Sequence, residues 1–305
     1  MQASHSPPSA SPHKPYRSEF IEVGGVESKR RIHVRIWGAA SAPKLFMLHG
    51  WGDVSATFQF VVDALRRDWQ VIAPDWRGFG LSQWNGSPYW YPEYLVDLEG
   101  VLDHYAPGEA VDAVGHSLGG NVLCIYAGVR PQRFRRIATL EGFGLPDNGP
   151  GDAASHYAAW LDEVKDATRF RDYTDFAELA ARLQRDNPRL TQERADYMAH
   201  HLGQYRADGR IEMAIDPCHR WRSPFRYRLD EAKACWREVT APVLWVAARD
   251  SFVMKRFDGK EEEYAARKAC FRELREVVFA ACGHNMHHEY PDRLATLIDE
   301  FFGTD

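Results

Sequence analysis

Apolar residues fall along this chain in two rhythms. Short continuous apolar runs occur at Lys44 to His49, Gln70 to Pro74, Ala110 to Val114, Arg136 to Leu140, Pro242 to Ala247 and Arg275 to Phe279. Runs of that length, without polar alternation, predict strands buried on both faces. Between them lie stretches with apolar residues three or four apart. In Ala56 to Arg67, Phe60, Val61, Ala64 and Leu65 share one side, and Glu93 to Tyr105, Asn121 to about Val129, Gly259 to Lys268 and Pro291 to Phe302 read as further helices. Two more strands, Phe20 to Val23 and Ile32 to Trp37, are joined through Gly24-Gly25. Strict alternation of strand and helix predicts an α/β fold: a mostly parallel eight-stranded sheet with helices on both faces.

The alternation stops after Pro146 and resumes at 229. The residues between, 147–228, carry helical spacing in Trp160-Leu161-Val164, in Phe176-Leu179-Ala180-Leu183 and from Ala195 to Leu202, with no buried strand pattern. This predicts a helical cap inserted into a core domain of 17–146 and 229–305. Residues Met1 to Tyr16 are rich in Ser, Pro and His and lack an apolar h-region, so they read as a disordered tail and not a secretory signal.

Composition narrows the picture. A net charge of -5 over 305 residues gives no footing for nucleic acid. Charges interrupt every apolar run well short of the roughly 18 residues a membrane span needs. The five cysteines have no C-x-x-C spacing and read as reduced thiols, which predicts a cytoplasmic location. Cys282 stands two residues before a histidine; a small loop residue is the preferred reading over a reactive thiol. No metal-ligand spacing and no phosphate-cradling loop is found, so no metal or cofactor is expected. Oligomeric state is not legible.

The candidate chemistry starts at Gly115-His116-Ser117-Leu118-Gly119, where a strand-like run meets a helix-like one. A serine between two glycines at such a junction is the G-x-S-x-G nucleophile elbow. The turn is so sharp that side chains at Gly115 and Gly119 would crowd it, and the hydroxyl is left exposed at a helix N-terminus. A serine hydroxyl needs a base, and the base needs an orienting acid. His284, in the loop after the last strand, is the candidate base, with His287 and His288 as rivals that otherwise read as surface residues. Asp250, closing the preceding strand, is the candidate acid; Glu141, which ends the strand after the elbow helix, is the alternative. Backbone N–H groups of Leu118 and Trp51 would form the oxyanion hole, Trp51 from His49-Gly50-Trp51-Gly52 after the third strand. Trp51, Trp160, Glu141 and Phe143 are candidate substrate-binding residues. Tyr157, Trp221, Phe225, Trp84, Tyr89, Trp90 and Tyr91 add to an aromatic, mainly apolar surrounding. The arginines Arg220, Arg222, Arg226 and Arg228 read as a solvated or ion-paired face in preference to an anion site.

With these motifs together, the chain resembles capped, esterase-like serine hydrolases of the α/β-hydrolase fold, from about Phe20 to Phe302. Leu140-Glu141-Gly142-Phe143-Gly144 and Asp216-Pro217-Cys218-His219 are also similar to the serine hydrolase-like branch. The resemblance implies a cofactor-free hydrolase of a small-molecule ester. Haloalkane dehalogenases and epoxide hydrolases share this layout but carry Asp at the elbow, which Ser117 excludes here. Three functions remain: ester hydrolysis through an acyl-enzyme, carbon–carbon hydrolysis of a vinylogous diketone, and ligand binding without catalysis.

Overall fold

The computed structural model describes residues 13–25, 27–147, 149–165, 169–224 and 226–303. In chain order the strands are β1 (Tyr16–Val23), β2 (Arg30–Trp37), β3 (Lys44–Leu48), β4 (Gln70–Pro74), β5 (Val111–His116), β6 (Phe134–Leu140), β7 (Gly203–Tyr205), β8 (Ile211–Met213), β9 (Val243–Ala248) and β10 (Leu274–Phe279). The helices are α1 (Gln59–Ala64), α2 (Tyr91–Tyr105), α3 (Leu118–Val129), α4 (Ala153–Val164), α5 (Phe176–Asp186), α6 (Gln192–Leu202), α7 (Leu229–Arg237), α8 (Phe252–Lys255), α9 (Glu261–Lys268), α10 (Met286–Glu289) and α11 (Pro291–Phe302).

Eight strands form one sheet in the order β1-β2-β4-β3-β5-β6-β9-β10. Only β2 runs against its neighbours; the pairings from β4 through to β10 are all parallel. The α/β prediction therefore holds, and the mechanism is visible in β3. Phe46 and Leu48 enter the apolar layer shared with Leu98, Val101 and Leu102 of α2, Val122 and Leu123 of α3 and Trp236 of α7. Leu45 and Met47 enter the opposite layer, with Val61 and Val62 of α1 and Leu294, Ile298 and Phe301 of α11. A strand covered on both faces needs apolar residues at every position, which is why the run is continuous. Each such side chain contributes about 1.5–3 kcal/mol on burial.

Two expectations change. Residues 147–228 are not purely helical: β7 and β8 form a short antiparallel hairpin, and Tyr173 bridges to Ile211 beside it. At three residues per strand, no continuous apolar run marks them. This segment also has its own apolar cluster, in which Leu179, Ala195 and Met198 pack with Val54, Ala56 and Phe60 from the stretch after β3. The predicted tail is shorter than 1–16, because Tyr16 opens β1 and Lys14 donates from its amine to the Leu65 carbonyl at 2.7 Å. Residues 1–12 lie outside the described residues. No helix among the described residues is long and apolar enough to cross a membrane.

All the sheet-edge chemistry gathers where β3, β5, β6, β9 and β10 end. In an open parallel sheet this is the carboxyl edge, where loops from neighbouring strands meet.

Candidate active site

β5 ends at His116 and α3 begins at Leu118, so Ser117 alone makes the turn. Its backbone sits at φ 49 and ψ -110, a conformation L-residues rarely adopt, at a cost of about 1–3 kcal/mol. The turn is fixed by its N–H, which donates to the Leu140 carbonyl at 2.8 Å, and by its own carbonyl, which accepts from Asn121 N–H at 2.9 Å. A Cβ on Gly119 would lie 2.2 Å from the Leu48 carbonyl oxygen, and one on Gly115 would lie 2.5 Å from the Gly119 oxygen. Both glycines are therefore required by contact, as predicted.

His284 lies in the loop between β10 and α10. Two bonds hold that loop. Gly283 N–H donates to Glu289 Oε2 at 2.8 Å, and His116 Nε2 bonds the His284 carbonyl at 2.9 Å. A carbonyl only accepts, so His116 carries its proton on Nε2. The elbow residue next to Ser117 thus clamps the backbone of His284. Burial, and then the nearby Arg256 charge, push the His284 imidazole down to about 4, so it is neutral at pH 7. Ser117 Oγ has no hydrogen bond to His284 among the described residues; such bonds are often long in unliganded sites and tighten with substrate.

The acid facing His284 is Glu141, not Asp250. Glu141 Oε2 lies 3.4 Å from His284 Nδ1. Its carboxylate is buried and reaches across the end of β9, where Oε1 accepts Ala248 N–H at 2.7 Å and Oε2 accepts the Ser251 hydroxyl. Burial raises the Glu141 carboxyl to about 7, against the pull of those two hydrogen bonds. Asp250 turns outward instead. Its side chain is 42% exposed and pairs at 2.5 Å with Arg189, from the connection between α5 and α6. The expectation for Asp250 fails because the chain reverses after β9: Ser251 turns back to cap α8, accepting from Val253 and Met254 N–H, and Asp250 is left on the outside of the bend. Glu141 and Ser117 are also the two non-glycine residues with positive φ among the described residues, Glu141 at 59°.

His287 and His288 are buried and not at the surface. His287 Nε2 bonds Asp53 Oδ2 at 2.9 Å, and His288 lies 3.4 Å from the same oxygen. Burial opposes the charge on Asp53, yet these two rings hold its carboxyl well below the usual range. They fasten the loop after β3 to the loop that carries His284. Asp53, His116 and His287 each offer one potential metal-ligand atom within 4.8 Å of the others, a grouping that no sequence spacing announced.

The backbone N–H groups of Trp51 and Leu118 have no acceptor among the described residues. Leu118 is the first residue of α3, where no intrahelical partner exists. The Gly50 backbone packs so close to the elbow that a Cβ there would lie 3.2 Å from Ser117 Cβ.

A family model for the alpha/beta hydrolase fold matches residues 43–291. The chain belongs to the alpha/beta hydrolase fold family. It is similar to a serine hydrolase-like protein of Danio rerio, 25% identical over 88% of this chain and 83% of that protein. A serine hydrolase-like protein of Dictyostelium discoideum is 26% identical over 88% of this chain and 78% of its own. Among solved structures, the thioesterase domain from the curacin biosynthetic pathway superimposes with a TM-score of 0.80 at 22% identity, covering 93% of this chain and 99% of that one, a likeness of fold.

Around the centre of this α/β-hydrolase the remaining candidates separate. Trp51 is 52% exposed and, with His284, Leu183, Leu190 and Met198, lines a cavity of about 210 Å³. Phe143 does not line it: it is fully buried and stacked on Trp245, ring centroids 4.1 Å apart. Glu141 is taken up by His284 and Ser251, so it is not free to contact substrate. Trp160 is partly buried on α4, its indole N–H without a partner among the described residues. Tyr89 packs on His219 at 3.6 Å between centroids and its hydroxyl donates to Asp216 at 2.8 Å. The Asp216-to-His219 motif therefore seats the end of the 147–228 segment on the hydrolase core. Phe225 lies outside the described residues. Cys282 is buried, and burial pushes its thiol above the ordinary range, which removes it as a nucleophile at neutral pH. Ser251 and His116 were missed as contributors: Ser251 belongs to no spaced motif, and His116 fills a variable position of the elbow motif.

Proposed function

We propose that this hydrolase cleaves carboxylic esters through an acyl-enzyme, with Ser117 as nucleophile, His284 as base and Glu141 as the acid that orients it. The strained Ser117 backbone at the strand–helix junction, with Glu141 against the far side of His284, is the observation that carries the reading. Ser117 Oγ attacks the carbonyl carbon while His284 Nε2 takes its proton. Glu141 holds the proton on Nδ1 and stabilises the imidazolium. The N–H groups of Leu118 and Trp51 receive the oxyanion, worth roughly 100- to 1000-fold per donor. His284 returns the proton to the leaving alcohol, and water then releases the acid.

Residues 147–228 are proposed as the cap. Leu183, Leu190 and Met198 supply the apolar wall of the 210 Å³ cavity beside His284, a space that suits a short acyl or small aryl group. Small-molecule esters are thus favoured over long acyl chains.

Hydrolysis of p-nitrophenyl acetate and butyrate by wild type and Ser117→Ala tests the reaction. The expected result is turnover that the variant loses by at least about 1000-fold. Wild-type rates in Ser117→Ala would end the reading. Turnover of a vinylogous diketone with no turnover of either ester would transfer the same residues to carbon–carbon hydrolysis.

A further inference from the structure

A second cavity, of about 630 Å³, opens between the loop after β6, the start of α7 and the α8–α9 turn. The chain leads into it directly: five residues past Glu141, Pro146 forms part of its wall, with Leu229 and Phe257 completing an apolar side. The rest of the lining is charged, and its charges do not cancel. Arg267 is consumed, donating to Glu263 at 2.9 Å and to the Phe143 carbonyl at 2.7 Å. Asp147 accepts Leu229 N–H at 3.0 Å, and Asp230 pairs with Arg228 at 3.2 Å. Three cations on the same walls, Lys233, Arg256 and Lys260, have no carboxylate partner among the described residues.

Arg256 is the informative one. It is partly buried, and its Nε is buried with no hydrogen-bond partner among the described residues. Its nearest described ring contact is distant, 6.0 Å to the Phe257 centroid. An N–H donor buried without an acceptor costs free energy, so this edge of the guanidinium is open to an anion. Burial, and then the charge of Arg267, press its proton affinity down, against the attraction of the Glu141 carboxylate. Its charge also acts on both His284 and Glu141. The four arginines near the end of the 147–228 segment differ. Arg222 pairs with Glu163 at 2.8 Å, Arg220 donates to the Arg169 carbonyl at 2.8 Å, Arg226 donates to the Gly149 carbonyl, and Arg228 holds Asp230.

We propose that this cavity binds an anionic group carried by the substrate, a carboxylate or phosphate on an apolar stem, with Arg256 as its main contact and Lys233 and Lys260 flanking it. The inference rests on the hydrolase reading for its placement next to the chemistry. It names the substrate class: an ester whose remote end is an organic anion.

Two measurements test it. The first is the ratio of kcat/KM for p-nitrophenyl half-esters of dicarboxylic acids, succinate to adipate, over that for p-nitrophenyl butyrate. A wild-type preference for at least one half-ester, falling roughly 10- to 100-fold in Arg256→Gln and largely restored in Arg256→Lys, is expected. A ratio that Arg256→Gln leaves unchanged overturns the proposal. The second is calorimetric titration of Ser117→Ala, which needs no turnover, with glutarate and with inorganic phosphate. Saturable binding of one of them, abolished by adding Arg256→Gln, supports the site and tells carboxylate from phosphate. Binding of neither overturns it. Arg256-dependent binding in a protein that hydrolyses no ester would leave the site standing and remove the reaction; ester hydrolysis with no anion preference and no anion binding would do the reverse.

Discussion

Two carboxylates stand at neighbouring strand ends on the same edge of the sheet, and the protein treats them in opposite ways. Glu141, after β6, is buried, bent into a positive φ and hydrogen-bonded on both oxygens. Asp250, after β9, is 42% exposed and answered by an arginine from the 147–228 segment. Position at the carboxyl edge is therefore not what makes an acid able to orient a histidine. What matters is whether the backbone turns the side chain inward, and Glu141 accepts backbone strain to do so. Asp250 relaxes outward and becomes a tie between the sheet and the 147–228 segment.

The largest expected effect breaks this contrast. Glu141→Gln, which keeps the shape and removes the charge, should lower kcat/KM for p-nitrophenyl butyrate roughly 1000- to 10,000-fold, as loss of the orienting acid does elsewhere. Asp250→Asn should stay within about threefold of wild type, because its contacts are exposed. The opposite order in the same assay would reinstate Asp250.

A pH profile sharpens the same point. Burial raises the Glu141 carboxyl to about 7, and the ionised form is the one that can stabilise the imidazolium. Activity is therefore present above that value and declines as pH falls through it, approaching tenfold per unit on the acid side. Ser251→Ala removes a hydrogen bond that favours the ionised carboxylate. It should shift this limb to higher pH and lower kcat/KM at pH 7 by roughly 10-fold. A limb that Ser251→Ala leaves in place would show that some other group sets it.

Asp250→Ala carries the smallest effect on stability. Both partners of the Arg189 pair are well exposed, so its loss should cost about 0–1 kcal/mol and lower Tm by less than about 3 °C, read by differential scanning calorimetry. A much larger drop would mean that the pair fastens the 147–228 segment more tightly than its exposure suggests.

Much of this molecule was legible in one sequence. The strands of the parallel sheet declare themselves because burial on both faces demands unbroken apolar runs, and Gln70 to Pro74 and Pro291 to Phe302 coincide with β4 and α11. Ser117 was readable because Gly115 and Gly119 are sterically required around it. The choice between Glu141 and Asp250 was not, because it turns on a backbone reversal at Ser251 that no periodicity encodes. The Glu141-Gly142 pair at a strand end was the available hint of a strained turn. The short β7–β8 hairpin was hidden because strands of three residues carry no apolar run, and the buried roles of His287 and His288 because they depend on Asp53, distant in the chain.

The most direct measurement is the rate at which a fluorophosphonate labels the protein, with the modified residue located by peptide mass spectrometry. A single adduct on Ser117 is predicted, formed at least about 100-fold more slowly in Glu141→Gln and at near wild-type rate in Asp250→Asn. An adduct on another residue, or labelling of Ser117 that Asp250→Asn abolishes and Glu141→Gln leaves intact, would contradict the account.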